Sequence, residues 1–182
     1  MEPINLEDKI SSKQKGDITE SRVAELITLG SRGQLTCYTP SSDDDGIDII
    51  VNAKGEFNTL YIQVKSRFNL NKKKRFVTNI GCKTFKSHSS FYIIFMYFSP
   101  KDLEVETVWL IPSKDFEQLA YLISEGKSHK SSYRFAANPK SEIDKWAKYK
   151  VDKSQLGQQI LKTCLEENDK EEIIHHCGKS YC

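Results

Sequence analysis

The chain has 182 residues, 38% of them hydrophobic and 29% charged, with a net charge of +2, which is the size and make-up of one globular domain. Its longest apolar run, FYIIFMYF over Phe91–Phe98, is far too short to cross a bilayer, and no repeat or low-complexity stretch occurs. The opening MEPINLEDKISSK carries no apolar run and reads as no signal peptide, while five Cys without zinc-finger or CxxC spacing read as free thiols of a reducing cytoplasm.

In chain order, residues 1–14 read as a polar, flexible lead. Asp17 then caps a helix that runs to about Leu29 and is stopped by Gly30. A short strand is predicted over 33–39, and PSSDDDG (40–46) is a loop of turn formers. Strands follow at 47–52 and 59–66, then a basic loop at 68–75. Residues 77–90 read as a helix or an irregular crossover. Strands at 91–98 and 105–111 come next, the first of them a buried central strand. Pro112 and Ser113 open a helix that Gly126 ends, and SYRFAA (132–137) is a final short strand. Helices are predicted over 141–149 and 154–168. The order suggests an α/β (α+β) domain: a mixed sheet of about four to five strands flanked by helices, its core over 15–137, with a C-terminal helical extension and tail over 138–182.

The stretch from Asp45 to Arg67 carries the chemistry. Side chains of a strand alternate between faces. In LYIQVKS, Leu60, Ile62 and Val64 share an apolar face, and Tyr61, Gln63 and Lys65 share the other. Gln63 and Lys65 are then about 7 Å apart along the strand. In IDIIV, Asp48 is expected opposite Ile47, Ile49 and Val51, so a hairpin over NAKGEFN lays Asp48 beside Gln63 and Lys65. An acid, an amide oxygen and a lysine converging at a sheet edge suit a Mg²⁺ held against a phosphate. Asp disfavours strands, so Asp48 needs a reason to be there; hydrogen bonding to the preceding turn is the bland one. Asp43, Asp44 and Asp45 are explained as turn formers, with Asp45 close enough in sequence to assist.

Glu20 has two readings. It stands three residues after Asp17, as the N3 member of a capping box. It also falls on the helix side shared by Val23, Ala24 and Ile27, where a carboxylate needs a partner such as a metal or the site lysine; Glu25 lies on the polar side near Arg22.

Between Phe57 and Lys101 there is no Asp or Glu, while nine Lys or Arg occur, including Lys65, Arg67, Lys72, Lys73, Lys74, Arg75 and Lys83. A one-signed block next to the candidate site suits a phosphate backbone; the alternative is a solvated loop. HHC at 175–177, with Cys164 and Cys182, has no structural zinc spacing and reads as tail.

These residues resemble the PD-(D/E)XK, or restriction-endonuclease-like, nucleases. Their pattern is a helix glutamate, an acid on one strand and (D/E)-x-K on the next. KGDITESRVAELITLG is similar to the opening helix of archaeal Holliday-junction resolvases, with their glutamate at Glu20. DGID followed by IQVK is similar to Mrr-type restriction endonucleases, which carry Gln in place of the second acid. GID, QVK and VWLIP (108–112) also recur in uncharacterised bacterial domains of this kind. The resemblance covers roughly residues 14–125. It implies DNA cleavage of the restriction or repair type with Mg²⁺, for which Mn²⁺ can substitute, held by Glu20, Asp48 and Gln63. Lys65 would position water, and Arg67 and the basic run 72–75 would grip DNA. A homodimer would cut both strands. Gln63 departs from the pattern and keeps open a catalytically inactive nucleic-acid-binding module on the same fold.

Overall fold

The computed structural model describes residues 10–42, 45–126 and 130–177, with side chains through residue 166. The expected lead lies mostly outside the described residues, as do Asp43, Asp44 and the side chains of the HHC tail.

The first helix, α1 (Ser12–Gly30), is capped by Ser11 and starts nearly two turns earlier than predicted. Ser11 and Gln14 close the capping box: the Ser11 hydroxyl accepts from the Gln14 N–H at 3.2 Å, and the Gln14 side chain accepts from the Ser11 N–H at 2.9 Å. Two cap signals stand in series in this sequence, and the first is used. Glu20 therefore sits in the body of the helix and does not cap it.

Strands β1 (Leu35–Tyr38), β2 (Ile49–Ala53) and β3 (Thr59–Arg67) form an antiparallel meander. After β4 (Phe76–Gly81) the chain returns as β5 (Phe91–Phe98), which pairs parallel with β3, and β6 (Val105–Pro112) runs antiparallel to β5. Helix α2 (Ser113–Leu119), β7 (Tyr121–Ile123), β8 (Ser132–Ala137), a short β9 (Lys150–Val151) and α3 (Leu156–Cys177) complete the chain. The α+β class holds, but the count of four to five strands does not. A six-stranded mixed sheet runs β1-β2-β3-β5-β6-β9, and a separate three-stranded sheet runs β4-β8-β7.

Three local departures have identifiable causes. The ambiguous 77–90 contains β4, stabilised by a partner far along the chain, β8. The helix predicted over 113–126 ends at Leu119, because Tyr121–Ile123 pair with β8 instead. Over 141–149 a side-chain network displaces the helix: the Asp144 carboxylate accepts from the N–H groups of Trp146 (2.9 Å) and Asn138 (3.0 Å), leaving only a short 3₁₀ turn at Ala147–Tyr149.

The large sheet is covered on both faces. Ile94, Met96 and Phe98 of β5 pack with Leu60, Ile62 and Val64 against Val23 and Ile27 of α1 and Ile160 of α3. Ile93, Phe95 and Tyr97 face a second, aromatic core with Phe76, Trp109, Phe116, Phe135 and Trp146. A strand buried on both faces reads as a continuous apolar run, which is why FYIIFMYF has no alternation. Of the segment expected as a C-terminal extension, Trp146 and Tyr149 lie in the aromatic core and Leu156, Ile160 and Cys164 in the other. No described helix is long and apolar enough to cross a membrane.

Candidate active site

The β2–β3 ladder ends where Ile49 pairs with Ile62. Asp48, one residue earlier, still donates its N–H to the Ile62 carbonyl, at 2.9 Å. The chain has slipped by one residue, as in a β-bulge. Continued pairing would bring the Val64 N–H to the carbonyl of Ile47. The Asp48 carboxylate takes it instead, with Oδ2 2.6 Å from the Val64 nitrogen. A buried aspartate thus closes the gap where two strands part.

The slip changes the expected phase. Ile47 packs with the aromatic core and Ile49 with the other, so the two isoleucines face opposite sides. Asp48 opens toward α1. With Glu20 it lines a cleft of about 560 Å³ that Val64, Lys65, Ser66 and Arg67 bound on the β3 side. The same two acids also line an adjoining hollow of about 450 Å³ under Thr39–Ser42. Helix and strand are joined here by the hydroxyls of Thr19 and Ser66, 2.8 Å apart. Glu20, Asp48 and Lys65 therefore share one cleft.

Gln63 is not among the residues lining that cleft. It is 2% exposed, and its Oε1 has no hydrogen-bond partner among the described residues. The Asp45–Gly46 turn covers it. Gly46 has φ +67°, and a Cβ there would lie 2.8 Å from Gln63 Nε2 and 2.8 Å from the Thr84 Cβ. Glycine is required on both counts. Asp45 pairs with Lys86 at 2.9 Å on the surface.

The basic residues lead away from the cleft. Arg67 donates through Nε to the Val77 carbonyl (2.9 Å), which fastens the end of β3 to β4. Lys72, Lys73, Lys74 and Arg75 are exposed on a turn organised by Asn71, whose Oδ1 accepts from the N–H groups of Lys73 (3.0 Å) and Arg75 (2.9 Å). Arg75 also reaches the Ala136 carbonyl of β8 at 3.1 Å. Thr19, Ser66 and Thr84 were not singled out from sequence. Hydroxyls carry no period of their own, and Thr84 stands in the segment whose strand was not legible.

No protein-family model and no curated protein matches the chain. Among solved structures, it is similar to the bacterial homing endonuclease I-Ssp6803I, with 16% identity over 88% of this chain and 98% of that one and a TM-score of 0.57. At that identity the likeness is one of fold. The fold is one that an endonuclease uses.

Proposed function

We propose that the chain is a metal-dependent DNA endonuclease of the PD-(D/E)XK type, acting in restriction or repair, with its centre at Glu20, Asp48 and Lys65. One observation carries the reading: a buried aspartate at the parting of β2 and β3 shares a cleft with a helix glutamate and a strand lysine. An endonuclease on the same fold supports it.

The donors suit a hard divalent cation. Two carboxylates open to one cleft, and a neighbouring buried amide oxygen lacks a partner. Asp48 and Glu20 would hold Mg²⁺ or Mn²⁺, with Gln63 as a third oxygen. Bound there, the cation supplies an acidified water and charge neutralisation. Lys65 orients the attacking water and offsets charge growing on the phosphate oxygens. The Val64 N–H fixes one oxygen of Asp48 and so its orientation. The turn at 72–75 supplies phosphate contacts without base reading. Two copies would place a centre on each strand of a duplex.

A nicking assay on supercoiled and branched DNA, with Mg²⁺, Mn²⁺ or EDTA, tests the reading. Cleavage is expected with either metal and none in EDTA. Binding without cleavage in all three, indifferent to metal, would instead identify the inactive binding module.

A further inference from the structure

The small sheet β4-β8-β7 presents two different faces. Inward, Phe76 and Phe135 are fully buried, and Phe135 stacks on Phe95 with ring centroids 3.8 Å apart, so the sheet is firmly seated. Outward, the register places Tyr121, Arg134 and Asn79 in one cross-strand row. Tyr121 is 68% exposed, and Arg134 and Asn79 are exposed too. On β4 and β8 their same-face neighbours are short: Val77 and Ala136 on one side, Gly81 and Ser132 on the other, with Ile123 of β7 beside Ser132. Arg134 Nε donates to Asn79 Oδ1 at 3.1 Å, which fixes the plane of the guanidinium. No strand of this sheet contains an Asp or Glu. Cations flank the row. Arg67 and Arg75 bond to the Val77 and Ala136 carbonyls at one end, and Lys83 is exposed beyond the other.

We propose that the outer face of this sheet reads base edges in the major groove of duplex DNA, with Arg134 recognising guanine and Asn79 positioning it. The inference rests on the reading of the chain as DNA-binding. It assigns sequence recognition to residues outside the cleft. The major groove is about 12 Å wide and admits β-strands; the three strands here, about 4.8 Å apart, span about 10 Å between their outer backbones, with Arg134 on the middle one. With Nε engaged, the terminal nitrogens are the part of an exposed guanidinium that takes O6 and N7 of guanine together. Short flanking side chains let β4 and β8 sit close to the bases, and the flanking cations meet the phosphates on either side of the groove.

The test is selection from randomised duplexes by the full chain in EDTA, which separates binding from cleavage. A nicking assay and a melting curve accompany each variant. The wild type should enrich a motif containing a guanine. Arg134→Ala and Arg134→Lys should both lose discrimination at that base by roughly 5- to 150-fold, the range of one bidentate contact. Asn79→Ala should blur the same position. Asn79→Asp, which keeps an acceptor for Nε, should restore it at lower overall affinity. Lys72→Ala should weaken all duplexes alike. An Arg134→Ala protein that melts normally and selects the wild-type motif overturns the inference. So does a wild type that selects no motif, even if it nicks DNA with Mg²⁺, and in that case the nuclease reading stands alone. A motif that shifts as described without any cleavage supports base reading and defeats the nuclease reading. Absence of duplex binding at low salt defeats both.

Discussion

Replacing Asp48 in two ways separates what its carboxylate does for the fold from what it does in the cleft. Asp48→Ala deletes the acceptor of the Val64 N–H, a 2.6 Å bond at a point where the paired register has already ended. A buried donor left without a partner costs about 1–3 kcal/mol. For a chain of this length each kcal/mol lowers Tm by about 2–4 °C. Asp48→Ala should therefore melt roughly 2–12 °C below wild type in EDTA. Asp48→Asn keeps an oxygen of the same reach for the Val64 N–H and loses the charge assistance of that bond, so the part of the loss due to Val64 should stay within about 1 kcal/mol. In the cleft the two variants should be alike, since neither offers an anionic oxygen. Both should fail to nick plasmid DNA, and neither should gain the thermal stabilisation that Mg²⁺ gives wild type, about 2.7 kcal/mol at a hundredfold excess over its Kd. An Asp48→Asn protein that nicks at the wild-type rate would refute the metal role. An Asp48→Ala protein that melts with wild type would refute the structural one.

Lys65→Ala should abolish nicking while DNA affinity changes by no more than a few-fold; undiminished nicking would remove Lys65 from the chemistry. Gly157→Ala should cost roughly 3 kcal/mol, because a Cβ there would overlap the Ile27 carbonyl oxygen and the Ser31 nitrogen of α1, backbone atoms that cannot rotate away; wild-type urea unfolding would contradict so close a crossing of α1 and α3. Burial, aided by the Asp115 carboxylate that its hydroxyl donates to at 2.8 Å, holds the Tyr149 phenol above its ordinary pKa. The unfolded chain therefore ionises first: this contribution is complete below about pH 10 and is lost as pH rises through the folded value. Tyr149→Phe should lower stability near neutrality by about 1 kcal/mol and flatten the alkaline decline; an unchanged decline would leave it to Tyr97 and Tyr133, which burial also raises.

The runs that read clearly in sequence are those whose burial leaves no phase to misplace. FYIIFMYF is covered on both faces and needed only its apolar content to be read as central. The strand carrying Asp48 did need a phase, and one slipped residue defeats a period of two. Alternation put Ile47 and Ile49 together, whereas the Asp48 N–H reaching the Ile62 carbonyl puts them apart. The elements missed depend on partners distant in sequence or on a single side chain. β4 and β7 exist because β8 lies between them, and Asp144 holds a turn network where periodicity suggests a helix. In the candidate site, the order of Glu20, Asp48 and Lys65 sufficed to select residues that line one cleft. The burial of Gln63 beneath Gly46 required the path of the preceding turn, which composition does not encode.

Gln63 is the residue on which a working centre and a relic differ. Its oxygen sits unbonded in a place that is 2% exposed, and an unmade bond of this kind costs about 1–3 kcal/mol. Gln63→Leu removes that cost at similar volume, so in EDTA it should be as stable as wild type or more so. If the oxygen serves a metal, the same variant should show a smaller rise of Tm with Mg²⁺ and weaker nicking. Gln63→Glu should behave in the opposite sense. A carboxylate buried there destabilises the metal-free protein, and Mg²⁺ should then recover the loss and bind more tightly than to wild type, because charge is added at a hard cation. If Gln63 only fills space beneath Gly46, Gln63→Leu should nick as wild type does, and Gln63→Glu should remain destabilised whether or not Mg²⁺ is present. If the site is a relic, wild type should not nick at all, and Gln63→Glu is the variant to examine for restored cleavage. We expect the first pattern. The Asp48 carboxylate bonds to the N–H of Val64, the residue after Gln63, so a cation on Asp48 would lie beside the strand segment that carries this oxygen. Melting with and without Mg²⁺, read beside nicking for the same three proteins, decides among these outcomes.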